Sequence, residues 1–390
     1  MNSGVTTPTG FIASGVTAGL KPSGKPDLAL VVNTGPRFDV AAVFTGNRCK
    51  ANPVLWSEQA VADGTARAVI LNSGGANCFT GPAGFAVTHG TAEHVAGVLG
   101  IGAGDVVVCS TGLIGEELDL KLLTTGINVA TAALSATGGN DAAHAIMTTD
   151  TVAKQSVTAG SDADGRSFTV GGMAKGAGML APALATMLVV LTTDAQVDAA
   201  VAKAALTAAC SGTLDRLDSD GCMSTNDTVV LMASGAGGSS PDVSTLTTTL
   251  TTVLADLGAQ LLRDAEGAAH DIAITVEGAA SLDDALLVGR AIARNSLVKC
   301  AFFGQDPNWG RIIAAVGTTT AAFDPMSLDV AINGVQVCTG SVPDAPRGTV
   351  DLSGRDVTVV VGLNAGSTQA TIWTNDLTYD YVKENAEYST

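Results

Sequence analysis

Short apolar runs alternate with amphipathic stretches along the whole chain. Leu28 to Val32, Ala68 to Leu71 and Val106 to Cys109 are continuous apolar runs of strand length, each followed by Asn or Ser. The stretch from Phe85 to Leu99 predicts a helix. Leu246, Leu250, Leu254, Leu257 and Leu261 recur at helical spacing, so Val243 to Arg263 predicts a second. A third is expected from Leu282 to Lys299. After Ser327 the pattern turns mostly to strands, clearest in the alternation from Gln369 to Thr374. A small-residue segment, Gly171 to Pro182, leads into the apolar run Thr186 to Leu191, so a threonine opens a strand shortly after a proline-containing stretch. The Gly/Ser-rich stretch Ser234 to Pro241 predicts a surface turn. The mixture predicts an α+β (mixed α/β) class rather than a regular βαβ repeat, with no internal repeat.

Composition narrows this picture. A chain of 390 residues suits one large or two medium domains. The apolar share is 46 % but aromatics are only 4 %, so the core must be built from Ala, Val, Leu and Ile. The formal charge of −17 argues against nucleic acid or anionic membrane surfaces as partners, while an anionic substrate needs only a few local cations. The seven cysteines are dispersed and form no CxxC pair, which reads as buried free thiols in a reducing compartment. The first residues lack a signal-peptide pattern, and no apolar run approaches the roughly 20 residues that span a bilayer. A cytoplasmic protein is the expectation.

Most familiar motifs fail on chemistry. Gly19 to Pro26 nearly matches a phosphate loop, but Pro26 stands where a hydroxyl should bind magnesium, so a turn is expected. Gly100 to Gly104 lacks the full dinucleotide fingerprint. Asp215, Asp218 and Asp220 fit no calcium-loop spacing. His89, His94, His144 and His270 are scattered, which makes a metal site unexpected, and no Gly-x-Ser-x-Gly elbow is present. A nucleophile that works without histidine remains. If the chain is cut before Thr186, the new α-amino group can act as base for the threonine hydroxyl. That amine titrates near neutrality, at roughly pH 8. Threonine is also common in strands, so the pattern alone leaves both readings open.

The stretch Gly172-Met173-Ala174-Lys175-Gly176-Ala177-Gly178-Met179-Leu180-Ala181-Pro182-Ala183-Leu184-Ala185-Thr186 resembles the processing site of the glutamate N-acetyltransferase (ornithine acetyltransferase) family, closest to actinobacterial members. Other blocks agree in order: Cys109 to Gly115, Ala145 to Thr151, Ser224 to Thr228, Asp264 to Gly267, Asp306 to Arg311 and Tyr381 to Thr390. The likeness covers essentially the whole chain. It implies a two-domain ornithine acetyltransferase-like fold of the self-processed N-terminal-nucleophile type. The precursor would be cut between Ala185 and Thr186 into an α chain, residues 1–185, and a β chain, residues 186–390, assembling as a heterotetramer. Thr186 would take the acetyl group from N-acetylornithine and pass it to glutamate, in arginine biosynthesis. Thr111 and the Gly112 N–H would form the oxyanion hole. Thr148, Lys175, Thr186, Glu266, Asn385 and Thr390 would bind substrate. No cofactor is implied, although acetyl-CoA is a conceivable second donor.

Some positions depart from the family pattern. Gly267-Ala268-Ala269-His270 stands where many relatives carry Gly-Ala-Thr-Lys, which removes a hydroxyl and a fixed cation near Glu266. Leu214 and Cys222-Met223 read as packing changes. Two rival readings are an amidohydrolase or aminopeptidase that uses water as acceptor, and an unprocessed binding protein.

Overall fold

The computed structural model describes residues 4–179 and 187–387. They form two compact units: residues 4–177, 187–215 and 223–261 make the larger, and residues 178–179, 216–222 and 262–387 the smaller.

The larger unit contains strands β1 (Phe11–Val16), β2 (Leu28–Asn33), β3 (Asp39–Phe44), β4 (Ala68–Asn72), β5 (Val106–Ser110), β6 (Lys154–Ser161), β7 (Ser167–Lys175), β8 (Leu188–Thr193) and β9 (Thr228–Ala233). Its helices are α1 (Asn52–Ala60), α2 (Gly81–Leu99), α3 (Leu120–Ala132), α4 (Gly139–Ala145), α5 (Ala199–Gly212) and α6 (Val243–Arg263). One sheet has the order β1-β2-β4-β5, the other β3-β9-β8-β7-β6. The two sheets share a core. Ala29, Val31, Val69, Leu71 and Val107 of the first meet Met173, Leu188, Val190 and Val230 of the second.

The alternate residues Leu28, Leu30, Ile70 and Val108 face the other way and are covered by Val95 of α2 and Leu123 and Ile127 of α3. On the second sheet's far side α6 lies over β7: a Cβ added at Gly172 would come 3.0 Å from Leu257 and 3.2 Å from Val253. Strands buried on both faces must be apolar throughout, which is why β2, β4 and β5 read as continuous runs rather than alternations. The result is helices, sheet, sheet, helices, with Ala and Gly letting the layers approach closely.

The smaller unit contains β10 (Asp271–Ala279), α7 (Leu282–Ala293), α8 (Ser296–Phe303), α9 (Trp309–Val316), β11 (Asp329–Ile332), β12 (Val335–Thr339), β13 (Val342–Pro343), β14 (Asp356–Gly362), β15 (Thr368–Asn375) and α10 (Tyr379–Glu387). Its sheet, ordered β13-β12-β11-β14-β10-β15, packs Ile272, Ile274, Val359 and Ile372 against Val288 and Ile292 of α7.

Three expectations need correction. The helix expected over Leu282 to Lys299 is two helices, because Asn295 leaves the helical conformation and its Oδ1 caps the N–H groups of Leu297 and Val298. The stretch Ser234 to Pro241 is not simply a surface turn: Ser234 and Ser239 are fully buried, and the Ser239 hydroxyl donates to Asp162 Oδ2 at 3.1 Å. All seven thiols are free, but only Cys78, Cys109, Cys210 and Cys338 are buried; Cys49, Cys222 and Cys300 are exposed. No helix among the described residues is long and apolar enough to cross a membrane.

Candidate active site

Strands β4 and β5 run parallel, with Asn72 opposite Ser110, so the turns that leave them emerge side by side. The Asn72 side-chain amide donates to Ser110 Oγ at 2.6 Å, and the Thr111 N–H donates to the Asn72 carbonyl at 3.0 Å. Asn226 ties both turns down, donating to the carbonyls of Ala76 and Ser110 at 2.7 and 2.9 Å. Gly112 follows with a φ of +131°. A Cβ there would lie 2.8 Å from the Gly75 nitrogen and 2.9 Å from its Cα, so only glycine fits. The Gly112 N–H donates to no acceptor among the described residues.

Lys175 ends β7, and its side chain is buried. Its Nζ donates to Thr111 Oγ1 at 3.3 Å and lies 3.9 Å from Asp150 Oδ2. Asp150 is the hub of this cluster and escaped the reading of the sequence. Its Oδ1 accepts from Lys154 Nζ and from the Gly176 N–H, both at 2.7 Å, and its Oδ2 accepts from the Thr148 N–H at 2.9 Å. Burial alone would raise the pKa of this carboxyl. The charges of Lys175 and Lys154 and the Gly176 N–H outweigh burial and hold it down at about 2. The site therefore keeps a fixed carboxylate between two buried ammonium groups. The signal for it was present in the sequence, an aspartate four residues before a lysine at a strand start, but that spacing is common.

Lys21 was also missed. It lies in the loop that imitates a phosphate site, and the N–H groups of Leu20 and Lys21 both donate to Asp27 Oδ2, at 2.6 and 3.0 Å. The loop thus encloses a buried carboxylate of its own chain. Lys21 Nζ donates to the Met147 carbonyl at 2.6 Å, next to Thr148. Burial, followed by the opposing pull of Asp27 and the push of Lys175, brings its pKa down to about 8.

The structure thus brings together Thr111, Gly112, Thr148 and Lys175 within the larger unit. Glu266 belongs to the smaller unit, where it lies against Gly178: a Cβ added there would be 2.7 Å from both carboxylate oxygens. Gly267 (φ +61°) lets the start of α10 approach, since a Cβ would fall 2.2 Å from the Tyr381 nitrogen. Asn385 is exposed on α10, and its side-chain amide donates to the Tyr381 carbonyl at 3.0 Å. His270 is buried rather than displayed, with Nδ1 2.7 Å from Asp376 Oδ2 and Nε2 3.1 Å from the Leu352 carbonyl. Its departure from the family pattern therefore serves packing of the smaller unit. Ala185, Thr186 and Thr390 lie outside the described residues. Of Asp215, Asp218 and Asp220, Asp218 is fully buried and paired with Arg294 at 2.9 Å. Among the described residues no group of three or more His, Cys, Asp or Glu side chains could hold a metal ion.

The family model described as the ArgJ family matches residues 12–390. The arginine biosynthesis bifunctional protein ArgJ of Thermobifida fusca is 59 % identical over 386 residues, covering 99 % of this chain and 100 % of that protein. The protein of the same name from Streptomyces coelicolor is 59 % identical over 385 residues, covering 99 % of each. A solved structure of ornithine acetyltransferase from Mycobacterium tuberculosis, complexed with ornithine, is 51 % identical, with a TM-score of 0.43 over 48 % of this chain and 97 % of that one. The protein is an acetyltransferase of amino-acid biosynthesis. More particularly, the chain belongs to the ArgJ family, and its place is in arginine biosynthesis.

Proposed function

We propose that the enzyme moves an acetyl group from N2-acetylornithine to glutamate through an acetyl ester on Thr186. In this reading the chain cuts itself between Ala185 and Thr186, leaving pieces 1–185 and 186–390, two copies of each assembling as a heterotetramer. The liberated α-amine of Thr186 takes the proton of its own hydroxyl, and the hydroxyl oxygen attacks the acetyl carbonyl. Ornithine leaves, glutamate enters, and its amine attacks the ester carbonyl. Each attack creates an oxyanion, which needs donors already in place. The carrying observation is the Thr111-Gly112 turn: a hydroxyl held by Lys175 at 3.3 Å beside a backbone N–H that no described acceptor uses.

Lys175 supplies positive charge for a substrate carboxylate, with Thr148 beside it. Glu266 supplies negative charge for the substrate ammonium, and Asn385 and Thr390 complete the contacts. Acetyl-CoA is the second donor proposed here, the relatives being named bifunctional without a stated donor; release of CoA in the presence of glutamate measures it. The central test is Thr186→Ala, followed by intact mass spectrometry and an assay of acetyl transfer. The expected outcome is a single uncut polypeptide without activity. A variant that is still cut at the same bond, or still turns over normally, removes Thr186 from this role.

A further inference from the structure

Lys21 is a half-buried cation that the transfer chemistry above does not use. Its loop is firmly held. The N–H groups of Ala18, Leu20 and Lys21 all donate to the buried Asp27 carboxylate, at 2.6, 2.6 and 3.0 Å. The same loop sits on the turn behind Gly112: a Cβ added at Gly74 would fall 2.3 Å from Leu20 Cβ, and the next residue, Gly75, is the one packed against Gly112. The Lys21 ammonium donates to the carbonyls of Met147 and Pro26 at 2.6 and 3.0 Å. Among the described residues it meets no carboxylate at ion-pair distance, and one of its N–H groups has no partner. Lys175 is tied to the same stretch, since Asp150 Oδ2, 3.9 Å from its Nζ, accepts from the Thr148 N–H. Two ammonium groups thus converge on Met147 to Asp150. Burial chiefly, with the Lys175 charge adding to it, brings the Lys21 pKa down to about 8. A cation drawn out of water beside another cation is stabilised when an anion arrives.

Resting on the acetyl-transfer reading above, we propose that Lys21 receives the side-chain carboxylate of glutamate and so sets the preference for that acceptor. Acetylornithine brings one carboxylate, the group assigned to Lys175. Glutamate brings a second, and a second cation at this loop has a counterpart in that substrate alone. The ornithine side chain ends instead in an ammonium, which Lys21 repels. One fixed charge therefore favours the acceptor and disfavours the donor side chain, and specificity rests on that difference. The Asp27 clamp keeps the backbone of Lys21 in place, and its half-exposed side chain keeps an N–H to offer.

The test compares kcat/KM for acetylornithine, glutamate and glutamine in wild type, Lys21→Met and Lys21→Arg. Glutamine has the size of glutamate without the side-chain charge, and methionine keeps most of the lysine stem without the ammonium. In Lys21→Met, kcat/KM for glutamate is expected to fall by about 10–10²-fold, chiefly through KM, as for the loss of a hydrogen bond to a charged group. The value for glutamine should change little, and that for acetylornithine should hold or rise. Lys21→Arg keeps the charge and should keep most of the preference for glutamate. Thermal melts establish that each variant is folded. A folded Lys21→Met with the wild-type ratio of glutamate to glutamine overturns the proposal, and so does an equal fall for all three substrates, which marks a structural role. Wild type that uses glutamine as readily as glutamate overturns it without any variant. Ornithine release from acetylornithine alone reads the donor step separately: if wild type releases none, the acetyl-transfer reading fails first, and Lys21 loses its role with it.

Discussion

The Thr111-Gly112 turn and the Asp150 hub separate two demands on single residues: one must leave room, the other must hold charge. Gly112 leaves room. Replacing it by Ala drives a Cβ into the Gly75 backbone at a φ of +131°. If its N–H is an oxyanion donor, the turn must shift and turnover should drop by about 10²–10³-fold in an acetyl-transfer assay; an unchanged turnover number speaks against that role. Asp150 holds charge. Its pKa lies below the ordinary 3.8, at about 2, so its contribution to stability is complete above about pH 4 and is lost as pH falls towards 2. Asp150→Asn leaves Lys154 and Lys175 buried without their shared counter-charge, which should cost about 3–5 kcal/mol in urea unfolding at neutral pH. The variant should also lose the part of the acid-induced destabilisation between pH 4 and 2 that this carboxyl causes. An acid limb identical to wild type would show that Asp150 does not titrate as described.

At the scale of elements, the strands were legible because both of their faces are buried. Leu28 to Asn33, Ala68 to Asn72 and Val106 to Ser110 appear as apolar runs for that reason, and α6 as a leucine stripe because only one of its faces is covered. The break at Asn295 was not legible, since an asparagine between two helical patterns can sit inside a helix or cap the next one, and only its side-chain bonds decide. The start of α2 at Gly81, ahead of the expected Phe85, follows from Pro82 in the first turn, a position that suits proline. In the site, Thr111, Gly112, Thr148 and Lys175 could be named because their motif blocks are distinctive. Asp150 and Lys21 could not, because Asp150's close lysine is a common spacing and what marks both is burial and a further partner distant in the chain. Lys21 reaches Met147 across 126 positions, and the Gly176 N–H reaches Asp150 across 26.

On the scale of the whole molecule, β8 lies inside its sheet, paired antiparallel to β7 from Val170 to Lys175 and parallel to β9 from Thr228 to Ala233. A break just ahead of β8 would thus put neighbouring strands of one sheet on different polypeptides while leaving every ladder bond between them intact. The two fragments would remain a single folded body in buffer and part only when the sheet melts. Reassembly would then need an encounter between two molecules, so the midpoint of reversible denaturation should rise with protein concentration for nicked material and stay constant for the uncut Thr186→Ala chain. Dilution, harmless to an ordinary monomer, would become a denaturing condition.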